Sequence, residues 1–298
     1  MQRRTFLGSA LAAQAASAQQ IQIEGPVQGK PHAGKVLALI TPHLDDGPIF
    51  ASGTIAKLLD EGYTGYFIRT SNDEKDSFGM TLGQTVLANE RDTGEFIKTI
   101  GFKKAYDLAY RNHRMDDIAV VELRARLIFL FRLLRINTVF SYDPWGHYEE
   151  NPDHYVTAQA VEAACWMSGG NLDLPEHFDA GLKPHSVSEK YYFARGPQLV
   201  NRVVDISTTI EKKQACIRAC RTMVDHMVQD LRRSLAESKR KLPALEGGNA
   251  IANYAKFAFE TRDARVGERH GLKFAEEYHY IGPDSSLTEY IRQNAVPV

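Results

Sequence analysis

Cysteine is scarce in this chain, which has only three in 298 residues. Cys216 and Cys220 are four residues apart on a predicted helix, where a disulfide between them would be strained. Cys165 stands alone, and the three lack the partners of a structural zinc site. The fold therefore cannot depend on a disulfide framework, and we interpret all three cysteines as buried or incidental.

Long apolar runs and an excess of charge of one sign are also absent. No run reaches the ~18 apolar residues of a transmembrane helix, so we expect no stable membrane insertion of the mature protein. The formal net charge is −1, with no basic tract and no interleaved basic and aromatic patch, which argues against nucleic acid as a partner. No G-x-G-x-x-G follows a predicted strand, so a dinucleotide cofactor is not supported.

The N-terminus, in contrast, carries a distinctive segment over residues 1–18. Arg3 and Arg4 precede a short, mildly apolar stretch over 6–16, and Ala16-Ser17-Ala18 supplies small residues for cleavage. This pattern is typical of a twin-arginine export signal. We therefore expect an exported protein, periplasmic or extracellular. The alternative is a basic, alanine-rich, disordered tail.

After a predicted linker over 19–35, residues 36–298 are expected to form a single domain. Predicted strands and helices alternate along its first half, with strands near 36–41, 64–70, 104–108 and 136–141 and helices near 48–60, 84–100, 119–135 and 154–167. Such alternation predicts an α/β fold, a Rossmann-like parallel sheet flanked by helices. Two short strands near 191–193 and 203–204 and a helical C-terminal extension over 207–240 and 250–263 are expected to follow.

The first candidate site is His43-Leu44-Asp45-Asp46, which follows the apolar run 36–40. It lies where a buried strand ends, the position at which open α/β sheets bind ligands. A histidine and an aspartate three residues apart can share one divalent metal, and the aspartate between them is then free to act as a base on metal-bound water. The alternative is a helix N-cap, since Gly47-Pro48 follows.

A second cluster occupies residues 142–154, after the apolar run 136–140 and before another predicted helix. Asp153 and His154 end this cluster. Two loops that leave two strands of one sheet can converge on one metal and leave a coordination position open. Taken alone, Asp153 is equally explained as an N-cap.

Together the two clusters resemble the signatures of the zinc-dependent de-N-acetylases of the PIG-L or LmbE-like type. The family's His-Pro-Asp-Asp stands here as His43-Leu44-Asp45-Asp46, and its His-Pro-Asp-His stands as Asn151-Pro152-Asp153-His154. The resemblance implies that His43, Asp46 and His154 hold the metal, zinc or another divalent ion such as Fe²⁺, while Asp45 is the general base. The resemblance to the family covers roughly residues 35–280. Outside the two motifs it is weaker and is found at Thr70 to Glu74, Asp205 to Ser207, Lys212 and Lys213.

Asn151 is the departure from the family pattern that matters most, because the family has a histidine there. Asparagine can donate a hydrogen bond to an oxyanion, but it cannot transfer a proton at neutral pH. His147 is the nearest substitute proton donor, unless it is only a solvated loop residue. Trp145 and Tyr148 offer flat faces for a sugar ring or, alternatively, pack over the sheet edge.

We also expect Asp153 to orient the neighbouring His154 through a hydrogen bond. The resemblance implies hydrolysis of an N-acetyl group from an amino sugar or its conjugate, with that small molecule as the partner. One alternative is a metallo-amidase that acts on a non-sugar amide. The other, motivated by Asn151, is a metal-bearing carbohydrate-binding pseudoenzyme, although a binding protein has no need of Asp45 beside the metal.

Overall fold

The computed structural model of the chain describes residues 21–196, 199–283 and 285–297. The predicted export signal lies outside these residues. None of the helices within the described part has the length and apolar character needed to cross a membrane.

A single sheet organises the described chain, with eight strands in the order β1-β7-β8-β6-β5-β2-β3-β4. Their bounds are β1 Gln22–Glu24, β2 Val36–Thr41, β3 Thr64–Ser71, β4 Lys104–Tyr110, β5 Thr138–Tyr142, β6 Glu189–Phe193, β7 Arg202–Asp205 and β8 Ala275–Ile281. All neighbouring strands pair in parallel except β8, which is antiparallel to both β6 and β7. The sheet is therefore mostly parallel, as predicted.

Helices cover both faces of this sheet. The α-helices of the described chain are α1 Asp46–Phe50, α2 Ser52–Asp60, α3 Leu82–Ile100, α4 Val120–Leu134, α5 Pro152–Met167, α6 Glu176–Asp179, α7 Ile210–Ala219, α8 Arg221–Glu237, α9 Ala250–Ala255, α10 Thr261–Arg269 and α11 Ser285–Asn294. Short 3₁₀ turns occupy Met115–Asp117 and Pro243–Leu245, and a π-helical turn over Lys256–Glu260 joins α9 to α10.

The apolar run 36–40 of β2 follows from its position in the interior of the sheet. Successive side chains of a strand point to opposite faces, and here both faces are covered. Leu37 and Leu39 enter the core beneath α2 and α7, whereas Ala38 and Ile40 enter the core beneath α4 and α5. Alternating residues of one strand thus anchor both layers and fix the strand end that carries His43.

The predicted alternation over residues 36–167 is confirmed, with differences where local signals are weak. The helix expected over 48–60 is interrupted at Ala51, and the one expected over 207–240 is interrupted at Cys220, because both residues have non-helical dihedral angles. Gln22–Glu24, within the predicted linker, is instead strand β1, which is short and largely exposed and contains a single apolar residue, Ile23. After the helical extension, the chain re-enters the sheet as β8, which lies between β7 and β6.

Candidate metal centre

The loop after β2 is shaped by its own hydrogen bonds. The Thr41 hydroxyl donates to the His43 carbonyl at 2.7 Å, and the His43 amide donates to Oδ2 of Asp46 at 3.1 Å. These contacts turn the His43 ring toward the Asp46 carboxylate, so that Nδ1 of His43 lies 3.4 Å from Oδ2 of Asp46. Both side chains are buried.

The loop after β5 delivers the third member of the cluster from the first turn of α5. Asn151 is the N-cap of this helix, and its side-chain oxygen accepts the Asp153 amide at 3.0 Å. The cap fixes the first turn so that Nε2 of His154 lies 3.1 Å from Nδ1 of His43 and 3.5 Å from Oδ1 of Asp46. Two strand ends therefore converge, as the sequence predicts.

The donor set of this cluster suits a divalent metal. His43, Asp46 and His154 each offer one ligand atom, and these atoms all lie within 4.8 Å of one another. Two imidazole nitrogens and a carboxylate match the three protein ligands of catalytic zinc sites that keep a further position open. The alternative N-cap role of Asp46 gains no support, because α1 begins at Asp46 itself and its carboxylate faces His43. Asp45 takes the N-cap position, but its side chain makes no capping hydrogen bond.

Asp153 orients His43, and the prediction that it orients His154 is wrong. Its Oδ2 accepts the Nε2–H of His43 at 3.1 Å, and its carboxylate also accepts the amides of His113 at 2.6 Å and Met115 at 3.1 Å. Adjacent residues of a helix point in different directions, which turns Asp153 away from its neighbour. Burial opposes ionisation, but these hydrogen bonds prevail and lower the pKa of Asp153.

Glu149 occupies the position beside His154 that the sequence assigned to Asp153. Its Oε1 lies 3.0 Å from Nδ1 of His154 and accepts the Asn151 amide at 3.1 Å. Burial opposes ionisation, but the contact with His154 outweighs it and lowers the pKa of Glu149. Sequence reasoning missed this residue, since no spacing rule fixes where a loop carboxylate points.

Tyr142 is a second residue that sequence reasoning missed. Its hydroxyl donates to Oδ1 of Asp46 at 2.6 Å, and its ring stacks on His154 with centroids 4.1 Å apart. Burial, then the Asp46 charge, raises the pKa of Tyr142 well above its ordinary value. The sequence did contain one signal for Tyr142. It is the last residue of β5, and open α/β sheets bind their ligands at this edge.

Asp45 lies between the two loop ligands and keeps an unpaired carboxylate. Its side chain forms no hydrogen bond to any other residue of the described chain. Burial and the adjacent Asp46 charge raise the pKa of Asp45 well above its ordinary value. This unpaired carboxylate next to the cluster is therefore placed to act as a general base.

The loop after β3 supports the first cluster. Oδ2 of Asp73 accepts the Leu44 amide at 3.3 Å and an Arg69 N–H at 2.7 Å. Burial raises the pKa of Asp73 to about 7, although the charges of Arg69 and His43 oppose this. The similarity of residues 70–74 to a family loop thus corresponds to a segment that holds the loop of His43 and Asp46 in place.

The structure separates the two further predicted site residues. Nδ2 of Asn151 lies 3.3 Å from Nε2 of His154, so its amide is at the cluster itself. His147 is exposed, lines a small cleft of about 60 Å³ with Tyr142 and Arg195, and has no described contact with the three candidate ligands. A role of His147 as proton donor stays a prediction.

The two aromatic residues of this loop also differ. The Trp145 ring packs near Tyr192 and His279, with centroids 6.1 and 5.7 Å away, and remains half exposed. Tyr148 is 95% exposed and has a positive φ of 63°. Trp145 therefore packs over the sheet edge and still presents a free face, whereas Tyr148 is open to solvent.

A mostly parallel sheet with a histidine–aspartate cluster at its carboxyl edge defines an α/β protein with a candidate metal centre. Within that class the chain belongs to the PIG-L family: residues 38–165 match its family model, described as GlcNAc-PI de-N-acetylase. It is 30% identical over 204 residues to the diacetylchitobiose deacetylase of Thermococcus kodakarensis, which covers 66% of this chain and 72% of that relative.

Solved structures share the fold. The N,N'-diacetylchitobiose deacetylase from Pyrococcus horikoshii, complexed with its inhibitor MPG, matches with a TM-score of 0.68 and 23% identity over 85% of this chain and 88% of that one. GalB, the 4-carboxy-2-hydroxymuconate hydratase from Pseudomonas putida KT2440, matches with a TM-score of 0.60 and 17% identity over 84% and 97%. One fold thus serves different reactions, so the reaction must be argued from the site.

Proposed function

We propose that this protein is a metal-dependent N-deacetylase that removes the acetyl group from an amino sugar or its conjugate. The observation that carries the proposal is the buried cluster of His43, Asp46 and His154 with the unpaired Asp45 beside it. The family and the relationship to a diacetylchitobiose deacetylase supply the substrate class.

In this proposal His43, Asp46 and His154 hold the metal, with zinc as the first choice for two imidazoles and one carboxylate. When bound, such a metal supplies a Lewis acid and lowers the pKa of water toward about 7. Asp153 and Glu149 keep the two imidazoles in position from their outer nitrogens. The Tyr142 hydroxyl holds the Asp46 carboxylate in position through a hydrogen bond.

The reaction itself needs a base, an oxyanion donor and a proton for the amine. Asp45 takes a proton from the attacking water, whose oxygen bonds to the acetyl carbon. The Asn151 amide, beside His154, donates a hydrogen bond to the oxyanion that develops. The carbon–nitrogen bond then breaks, the proton returns from Asp45 or arrives from His147, and acetate and a free amine result.

A substrate panel tests this proposal. The zinc-loaded protein is incubated with diacetylchitobiose, N-acetylglucosamine and a simple N-alkylacetamide, and released amine is quantified. We expect amine from the sugars and no measurable amine from the alkylacetamide. With Asp45→Asn, release from the sugars should fall by roughly 10²–10⁴-fold.

Other outcomes of the panel would contradict the proposal. Cleavage of the alkylacetamide alone would instead indicate an amidase of non-sugar amides. Sugar binding without amine release from any member of the panel would indicate a binding protein.

A further inference from the structure

The loop after β4 brings a third histidine, His113, to the candidate metal centre. The rings of His113 and His43 have their centroids 6.2 Å apart and their planes nearly perpendicular, at 86°. Strand β4 runs parallel to β3, so the loop that follows it lies at the same edge of the sheet as the loops of His43 and His154. Unlike those two buried residues, His113 is exposed.

The backbone of His113 adopts an unfavourable conformation. Its φ of 59° lies in the left-handed region, which costs a residue other than glycine conformational free energy. A hydrogen bond holds it there, because the His113 amide donates to Oδ2 of Asp153 at 2.6 Å. The same oxygen accepts from Nε2 of His43 at 3.1 Å. Asp153 thus couples the position of His113 to that of a candidate metal ligand.

The His113 ring is the one side chain of this loop that has no polar partner within the described chain. The other three side chains each make a polar contact, Arg111 with Glu74, Asn112 with Asp76 and Arg114 with Asp117. Neither ring nitrogen of His113 forms a hydrogen bond or an ion pair with any described residue. A neutral imidazole therefore has one donor and one acceptor available for a ligand.

The position of His113 favours contact with the substrate over contact with the metal. Nε2 is the outer nitrogen of His43, and His113 lies on that side of the ring, because both residues bond to Asp153. The other nitrogen of His43, Nδ1, faces His154 and the cluster. A ring that lies beside a candidate ligand suits the part of a substrate that adjoins its reacting group.

We propose that His113 is a specificity-determining residue that binds one hydroxyl of the acetylated amino sugar. A hydroxyl both donates and accepts a hydrogen bond, as a neutral imidazole does. This contact distinguishes the sugar from a simple acetamide, because a site built to bind a hydroxyl rejects an analogue that lacks it. The inference rests on the proposed function, because it assigns a further contact with the same substrate.

A glycine substitution removes the ring and keeps the loop. His113→Gly retains the amide that donates to Asp153, and glycine adopts a φ of 59° without strain. Lys239→Gly is the matched control, because Lys239 is an exposed residue after α8 with a φ of 53°. Both variants should keep the metal content of the wild type. Loss of metal from His113→Gly would show that His113 belongs to the metal site and would overturn the assignment.

Kinetics with matched sugars test the contact. We would measure kcat/KM of the zinc-loaded proteins for the methyl glycoside of N-acetylglucosamine and for analogues that lack the hydroxyl on C3, C4 or C6. His113→Gly should lower kcat/KM for the parent glycoside roughly tenfold, the equivalent of one hydrogen bond, whereas Lys239→Gly should not lower it. With the analogue that lacks the bound hydroxyl, His113→Gly should have no effect. An equal loss with every sugar, or no loss with any, would overturn the proposal.

A binding measurement separates failure of this contact from failure of the proposed function. Zinc-loaded Asp45→Asn is titrated calorimetrically with the parent glycoside, alone and combined with each glycine substitution. The dissociation constant should rise roughly tenfold with His113→Gly and stay the same with Lys239→Gly. If the wild type deacetylates none of the sugars, the proposed function fails, and this titration alone decides whether His113 binds the sugar. Equal dissociation constants in all these proteins would overturn the proposal.

Discussion

At the scale of single residues, each candidate histidine ligand has a carboxylate at its outer ring nitrogen. Asp153 serves His43, and Glu149 serves His154. Such partners fix the orientation of a ligand imidazole and raise its basicity, and losing one typically weakens metal binding about 10–100-fold. The candidate site thus includes residues beyond the three candidate ligands.

Asp153→Asn tests this dependence. The substitution keeps the size of the side chain but removes the charge that faces His43. We expect metal affinity to fall by about 10–100-fold, as measured by competition with a chelating indicator. Glu150→Gln, at an 84% exposed position in the same loop, is the control and should keep full affinity. Unchanged affinity in Asp153→Asn would show that His43 needs no such partner.

Asp45→Asn tests the general base. The carboxamide cannot take a proton from water, so kcat should fall by roughly 10²–10⁴-fold. Metal content should stay at the wild-type level, because Asp45 is not among the proposed ligands. Loss of metal together with activity would mean that Asp45 is a ligand and that the two carboxylates of the loop have each other's role.

Asn151 combines two functions, helix cap and proposed oxyanion donor, which two substitutions separate. Asn151→Ser keeps a capping oxygen but loses the amide donor, and we expect kcat to fall by about 10²–10³-fold. Asn151→His restores the family's residue and should raise kcat, because an imidazole can also deliver a proton. A serine variant with the wild-type rate would refute the oxyanion role.

The residues of the site could be predicted only in part from the sequence. The convergence of His43, Asp46 and His154 was predictable because strand ends and local spacing determine their positions. Asn151 was singled out only by the resemblance to the family motif. Tyr142 and Glu149 were not predictable, since their importance depends on where α5 and the 143–151 loop place them against His154.

At the scale of elements, β2 to β5 and their helices were predictable because each combines an apolar run with a clear end. Strand β1 and strand β8 were not. Their sequences, Gln-Ile-Glu and Ala-Glu-Glu-Tyr-His-Tyr-Ile, contain carboxylates. The groups that balance these charges come from distant parts of the chain, so the sequence pattern alone does not reveal them. Glu276 in β8, for example, accepts from the buried Lys213 and from the Thr54 amide.

Glu24 similarly anchors β1, and its ion pairs predict a pH dependence. Its carboxylate accepts from Lys57 at 2.9 Å and Arg202 at 2.8 Å. Burial opposes ionisation, but Lys57 and Arg202 outweigh it and lower the pKa of Glu24 below 4.5. Because the folded pKa is depressed, this stabilisation is complete above pH 4.5 and is lost as the pH falls through the folded value.

Glu24→Gln should therefore lower the free energy of unfolding at pH 7 by about 1–3 kcal/mol. The difference from the wild type should shrink as the pH falls below 4.5. Denaturant titrations at several pH values measure it, with Glu90→Gln on the exposed face of α3 as the control. A difference that does not vary with pH would rule out the ion pairs as its source.

At the scale of the whole molecule, the N-terminal segment sets the expected location, and we propose export through the twin-arginine pathway. Arg3→Lys together with Arg4→Lys should leave the folded protein in the cytoplasm, because that pathway reads the arginine pair. Fractionation followed by immunoblotting measures the distribution, with Lys30→Arg and Lys35→Arg, downstream of the signal, as the control. Unchanged export of the double variant would mean that another pathway reads the segment.

The account as a whole depends on the metal held by His43, Asp46 and His154. The most direct test is the metal content per chain of purified His43→Ala, measured by elemental mass spectrometry beside amine release from diacetylchitobiose. His226→Ala, a histidine on α8 away from the cluster, is the control. We predict stoichiometric metal and full activity in the wild type and the control, and loss of both in His43→Ala. Full metal content or undiminished deacetylation in His43→Ala would contradict the account.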